Sequence, residues 1–245
     1  MRKKRTLFFC ATTILLLIIS ACSANKKTTS IEHEQLLWHD SREKPFGRFD
    51  YPKISKKEGL SLLKDKFKVK VPGMIAQAEA LMEKEVVTDE VKLGDSEYTL
   101  YAEGDELRIQ GYYPFFKESQ LETVSVVEFT YLFRREEKDV RLRTQSFSIV
   151  NVGEKEAFTK EKFHTFLEET AKIIDLPKTM SDRSIENFDK TYQELDNRPA
   201  SQRVKVYSND EEMTEKKRIT QSIVAEFSQK KELKGLQVAI VDRTE

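Results

Sequence analysis

Apolar and polar residues alternate with period two through the centre of the chain, which predicts antiparallel strands with one buried face. The clearest example is 122–135, where one face carries the large apolar residues Val127, Phe129, Tyr131 and Phe133. Residues 96–103 lie between Gly-Asp turn signals, and 107–113 is expected to pair with them as a hairpin that ends at Pro114.

Further strands are expected after this hairpin. The apolar parity changes along 139–152, so that strand is expected to carry a bulge between Thr144 and Ser146. The segment 214–229 fits both a helix and a strand, and its β-branched residues favour a strand in a second, small antiparallel sheet. Two short strands are expected on either side of it, 203–207 and 236–242.

Apolar residues three and four positions apart predict helices in two pairs, with a further short helix considered at 32–39. The expected pairs are 55–68 with 72–86, and 160–174 with 184–195. Ser55 and Glu58 have the spacing of a capping box at the first of these helices.

Helix pairs followed by runs of strands predict an α+β fold with antiparallel sheets packed by the helix pairs. Two similar α-α-β halves split near Gly153, or one sheet with all helices on one face, remain open alternatives. The domain organisation expected after the N-terminal segment is 36–153 and 154–245, either as two units or as one continuous domain.

The N-terminus has the pattern of a secretory signal: Arg2 to Arg5 are all basic, and an uncharged run of 7–21 follows. The run ends in Ile19-Ser20-Ala21-Cys22, which resembles the lipobox of bacterial lipoproteins. That resemblance implies a signal peptide over 1–21, cleavage between Ala21 and Cys22, and a diacylglyceryl group on the Cys22 thiol. It covers residues 1–22 only.

The resemblance also implies a cellular location. The protein is expected on the extracytoplasmic face of the cell membrane, held by the lipid on Cys22, with 22–35 as the lipidated cysteine and flexible tether. The other cysteine, Cys10, would leave with the signal, so thiol catalysis and disulfides are not expected in the mature body.

Charge gives little indication of a partner. The chain has 42 basic and 42 acidic residues, and loss of a signal with four basic and no acidic residues leaves a net charge of −4. No nucleic-acid partner is therefore expected.

Motifs for chemistry are sparse, and neither a cofactor nor a metal is expected. His33-Glu34 and His39-Asp40 contain ligand types, but two histidines six positions apart do not converge on one face of a helix. The third histidine, His164, falls at the edge of an expected helix. No nucleophile motif and no glycine-rich phosphate loop is present in the sequence.

The most distinctive local feature is an aromatic run at 112–116, with the sequence Tyr-Tyr-Pro-Phe-Phe. Neighbouring residues of a strand face opposite sides, so these rings cannot all enter one core. They either pack against an aromatic cluster near Phe46 and Phe49 or form an exposed surface that binds a partner protein. The candidate partner-surface residues are Trp38, Tyr112, Tyr113, Phe115 and Phe116.

The function expected from these observations is a lipid-anchored, non-enzymatic binding protein of the bacterial cell envelope. Its partner is expected to be another protein, with an immunity-type lipoprotein and a secretion- or conjugation-associated lipoprotein as open possibilities. The alternative is a cell-envelope hydrolase that uses paired carboxylates, which would need two acids to converge in a cleft.

Overall fold

A computed structural model describes residues 36–153, 158–195, 202–210 and 219–244. Residues from Gln35 onward belong to one compact unit. The fold is mixed and dominated by its sheet, and the strands all pair in the antiparallel sense. The expected mixture of helices and antiparallel strands is therefore confirmed.

Helices and strands of the described residues follow one another in groups. The helices are α1 Lys56–Ser61, which continues as a π-helical turn over Leu62–Lys66, α2 Met74–Glu85, α3 Lys160–Ile173 and α4 Lys178–Gln193. The strands are β1 His39–Ser41, β2 Gly47–Ile54, β3 Val91–Leu93, β4 Glu97–Gly104, β5 Glu106–Lys117, β6 Gln120–Arg134, β7 Asp139–Asn151, β8 Arg203–Ser208, β9 Ile219–Phe227 and β10 Leu233–Asp242.

The strands form one continuous sheet, in the order β2-β4-β5-β6-β7-β10-β9-β8, with β1 added to β7 and β3 added to β5. The prediction that 219–227 is a strand is confirmed. The prediction of a second, small sheet is wrong, because β10 pairs with β7 and places Val238 opposite Phe147. Both strands carry their apolar residues on the same face, so pairing them extends one core.

Two local predictions in the central strands are also corrected. Pro114 does not end β5: its carbonyl accepts a hydrogen bond from the Gly94 backbone at 2.8 Å, so its ring nitrogen faces the gap between β3 and β4, where the ladder is interrupted. The bulge in β7 is at Arg143, because Thr130 pairs with Thr144 while Tyr131 pairs with Leu142.

The starts of α1 and α4 have different local causes. Ser55 accepts a hydrogen bond from the Glu58 backbone N–H at 3.2 Å, as its capping-box spacing predicts. Helix α4 begins at Lys178, one residue after Pro177, and not at Ser184. Pro177 is compatible with this early start, because its ring fixes φ at a value that suits the entry into a helix.

The helices contact one face of the sheet, which we call the helical face. Gly59 of α1 approaches Tyr98 and Ile109, and the carbonyl of Ile174 after α3 accepts a hydrogen bond from Gln221. The core lies between the two layers and includes the largest buried side chains: Tyr98, Tyr113, Tyr131, Phe67, Phe115, Phe129, Phe147, Phe163, Phe166 and Phe188. Among the described residues, none of the helices is long and apolar enough to cross a membrane.

Candidate functional site

A cleft of about 450 Å³ opens on the helical face. One wall is α2, the other is formed by β3 and the residues before β4, and the floor belongs to β5. Both polar and apolar residues line the cleft, namely Lys56, Glu79, Met82, Glu83, Val87, Leu93, Ser96, Tyr113 and Phe115. The cleft is thus an apolar groove with a polar end, which is the usual composition of a small-molecule site.

A hydrogen-bonded chain runs from the core to this polar end. The Tyr113 hydroxyl donates to Glu79 Oε1 at 2.8 Å, and it accepts from Tyr98, since a phenol has a single proton to donate. Glu79 Oε2 forms an ion pair with the Lys56 ammonium. Both carboxylate oxygens of Glu79 are therefore engaged.

Burial is the main cause of the raised pKa values of the two phenols, Tyr98 and Tyr113. It raises the pKa of Tyr98 to about 12, and it also raises the pKa of Tyr113. Both phenols therefore stay protonated near neutral pH and serve as hydrogen-bonding groups.

A second candidate region lies on the opposite face of the sheet, which we call the open face. Cross-strand pairs place Tyr112 beside Val126, Val126 beside Ser148, and Ser148 beside Gln237. The side chains here are exposed or half-buried, in contrast to the helical face.

Apolar side chains are concentrated at one end of the open face. Tyr112, Leu121 and Val152 are 37%, 38% and 46% exposed. We call this group the open-face patch, and its members are Tyr112, Phe116, Leu121, Val124, Val126, Val150 and Val152. Exposed apolar groups that lie together in this way are typical of protein-binding surfaces.

The aromatic residues predicted as one partner surface are divided between the two faces. Tyr112 and Phe116 lie on the open face. Tyr113 and Phe115 are only 2% and 1% exposed, so their assignment to an exposed surface is wrong. The reason is strand alternation, which turns every second ring of the run into the core.

Trp38 is separate from the run. Its ring lies edge-to-face on Tyr131 of the helical face, with the ring centroids 5.9 Å apart, so it does not extend the open-face patch. Phe46 and Phe49 contact Phe67 and not the aromatic run. Cys22 and Ala21 lie outside the described residues.

A smaller cavity of about 240 Å³ lies where β1 meets β7. Arg141 is buried there, 3.6 Å from Asp242 and 3.1 Å from the Thr244 hydroxyl. Burial lowers the pKa of Arg141, and the nearby Asp242 partly offsets this effect. The cavity therefore belongs to an ion-paired part of the interior.

The histidines of the described region occupy separate positions. His39 begins β1, and His164 of α3 is 2.8 Å from Asp189 of α4, which joins the two helices. His33 lies outside the described residues. Within the ranges that the structure describes, no three His, Cys, Asp or Glu side chains are grouped as metal ligands would be.

Sequence reasoning missed the cleft, although one signal for it was present. Glu79 falls on the buried stripe of α2, four residues after Ile75 and three before Met82. An acid on an apolar stripe needs a polar partner from the facing layer. The candidate partners for Glu79 were the tyrosines on the buried face of the central strands.

No family model, characterised protein or solved structure matches this chain. Its function therefore has to be argued from the geometry of the two regions above.

Proposed function

We propose that the protein is a lipid-anchored, non-catalytic binding protein on the extracytoplasmic face of a bacterial cell membrane, and that its partner is another protein. The observation that carries the binding role is the open-face patch, where Tyr112, Leu121 and Val152 are more than a third exposed. The anchor rests on Cys22 in its lipobox-like sequence.

Binding is favoured over hydrolysis by the state of the carboxylates. A hydrolase would need two acids of the cleft to act on one bond. Glu79 and Glu83 both line the cleft, but the oxygens of Glu79 already accept from Tyr113 and Lys56. A carboxylate in that position is suited to holding the cleft together.

In this proposal, the body consists of two α-α-β halves placed side by side. The first, within 36–153, has α1, α2 and β2–β7, and the second, within 154–245, has α3, α4 and β8–β10. The pairing of β7 with β10 supports this arrangement, because it brings the open faces of both halves into one surface.

Recovery of a partner from membranes tests the proposal. The full-length protein should retain one stoichiometric protein partner, and Val126→Lys should lose it, because a charge then enters the open-face patch. Glu168→Lys, at an exposed position on α3, is the matched control and should retain the partner. Equal recovery by both variants, or no specific partner after mild crosslinking, would overturn the proposal.

The identity of the partner distinguishes two roles. A secreted toxin would favour an immunity role, and a component of a secretion or conjugation apparatus would favour a role in that apparatus.

A further inference from the structure

The cleft on the helical face is large enough for a small molecule. Its volume of about 450 Å³ lies within the range of roughly 300–1,000 Å³ that small-molecule sites occupy. Leu93 on its rim is 48% exposed, and Met82, Val87 and Phe115 continue the apolar lining. Met82 and Phe115 are only 2% and 1% exposed and close the bottom of the groove, so a ligand with an apolar body would remove mainly Leu93 and the half-buried Val87 from water.

The side chains that line the cleft carry a net negative charge. Lys56 and Glu79 neutralise each other at one end. Glu83 lies one helical turn further along α2, is exposed, and has no ion-pair partner among the described residues. Lys84, its neighbour in sequence, is 3.1 Å from Glu169 of α3 and is thereby directed away from the cleft.

The backbone adds to the same imbalance. Helix α2 ends at Glu85, so Glu83 belongs to its last turn. The carbonyl groups at the end of a helix carry partial negative charge, which favours a cation beside them. An ammonium group near Glu83 would therefore interact favourably with both the carboxylate and the helix terminus.

We propose that this cleft binds a small amphiphilic amine. The apolar body lies against Val87 and Leu93, and the ammonium group pairs with Glu83. An anionic analogue would meet the Glu83 carboxylate, and a neutral one would lose the ion pair. This site is independent of the open face, since the two lie on opposite sides of the sheet.

A titration followed by backbone amide NMR tests this proposal, using the chain from residue 22 onward with Cys22→Ser. The probes are hexylamine, hexanol and hexanoate, which share one apolar chain and differ in charge. Hexylamine should give saturable shifts at 79–87 and 93–96, with an affinity about fivefold above that of hexanol, as expected for a partly exposed ion pair. Hexanoate should bind most weakly.

Two variants separate charge from shape. Glu83→Gln should abolish the preference for hexylamine over hexanol, whereas Glu168→Gln, an exposed acid on α3, should keep it. Ser96→Trp should fill the cleft and abolish binding of all three probes while the chain remains folded, as judged by the unchanged amide spectrum elsewhere. Shifts outside the cleft, no preference for the amine, or unchanged binding to Ser96→Trp would overturn the proposal.

Discussion

The Tyr113 hydroxyl donates a hydrogen bond to Glu79 over 2.8 Å, which connects the centre of the sheet to helix α2. Tyr113 is 2% exposed and belongs to β5, whereas Glu79 reaches the cleft. The contact joins residues that are far apart in sequence. It therefore fixes the position of the cleft wall relative to its floor.

Loss of this hydrogen bond is expected to destabilise the protein. Tyr113→Phe leaves Glu79 Oε1 and the Tyr98 hydroxyl short of a partner, and it should lower the free energy of unfolding by about 1–3 kcal/mol. Tyr112→Phe is the matched control on the open face and should change it by less than about 0.5 kcal/mol. Urea unfolding measures both, and equal effects would contradict the assigned role of Tyr113.

Gly111 provides the space for the Tyr98 ring. A Cβ at this position would lie 2.7 Å from Tyr98 Cζ and 3.0 Å from Val127 Cγ2. Gly111→Ala should therefore displace the ring and lower the free energy of unfolding by about 1–3 kcal/mol. Gly73→Ala is the control, because nothing lies within 4 Å of its added Cβ, and it should be neutral or slightly stabilising. A neutral Gly111→Ala would contradict the described packing.

Asp139 should make stability depend on pH in the acid range. Its hydrogen bonds and ion pair with Arg134, one of them at 2.8 Å, lower the pKa of Asp139 in the folded protein. The stabilisation that Asp139 gains from Arg134 is complete above the pKa of an unfolded aspartate, which is about 4. It is lost as the pH falls through the lower pKa of Asp139 in the folded protein.

Asp139→Asn should therefore cost about 1–3 kcal/mol of unfolding free energy at neutral pH, and the difference from the wild type should shrink below about pH 4. Glu137→Gln is the control, because Glu137 is 3.5 Å from Arg134 but 47% exposed. Its effect should stay below about 1 kcal/mol. A constant difference at all pH values would contradict the assignment.

Lipidation is expected at Cys22. Cells grown with an alkyne-tagged fatty acid should label the wild-type protein, and Cys22→Ser should abolish the label because the acceptor thiol is gone. Cys10→Ser should remain labelled, since Cys10 lies within the expected signal. Label retained by Cys22→Ser would refute the proposed anchor.

Local patterns predicted the elements more successfully than their assembly. The alternation of Tyr98, Leu100 and Ala102 and the Ser55–Glu58 cap depend on neighbouring residues, and the structure confirms both. The pairing of β7 with β10 depends on residues about ninety positions apart, which no local pattern specifies.

The candidate regions follow the same rule. Alternation alone separates Tyr112 from Tyr113, so the division of the aromatic run between the two faces is predictable from the sequence. For the cleft, the sequence signals only that Glu79 needs a polar partner; the shape of the cleft is not predictable, because Lys56, Glu79 and Tyr113 meet only through the packing of α1 and α2 on β5.

Photo-crosslinking from single positions tests the central claim most directly. A crosslinking residue at Gln237, exposed on the open face, should give one dominant protein adduct in intact cells. The same residue at Glu168, exposed on α3, should give none, and Val126→Lys should remove the adduct formed from position 237. No adduct from position 237, or the same adduct from both positions, would contradict the assignment of the open face as the binding surface.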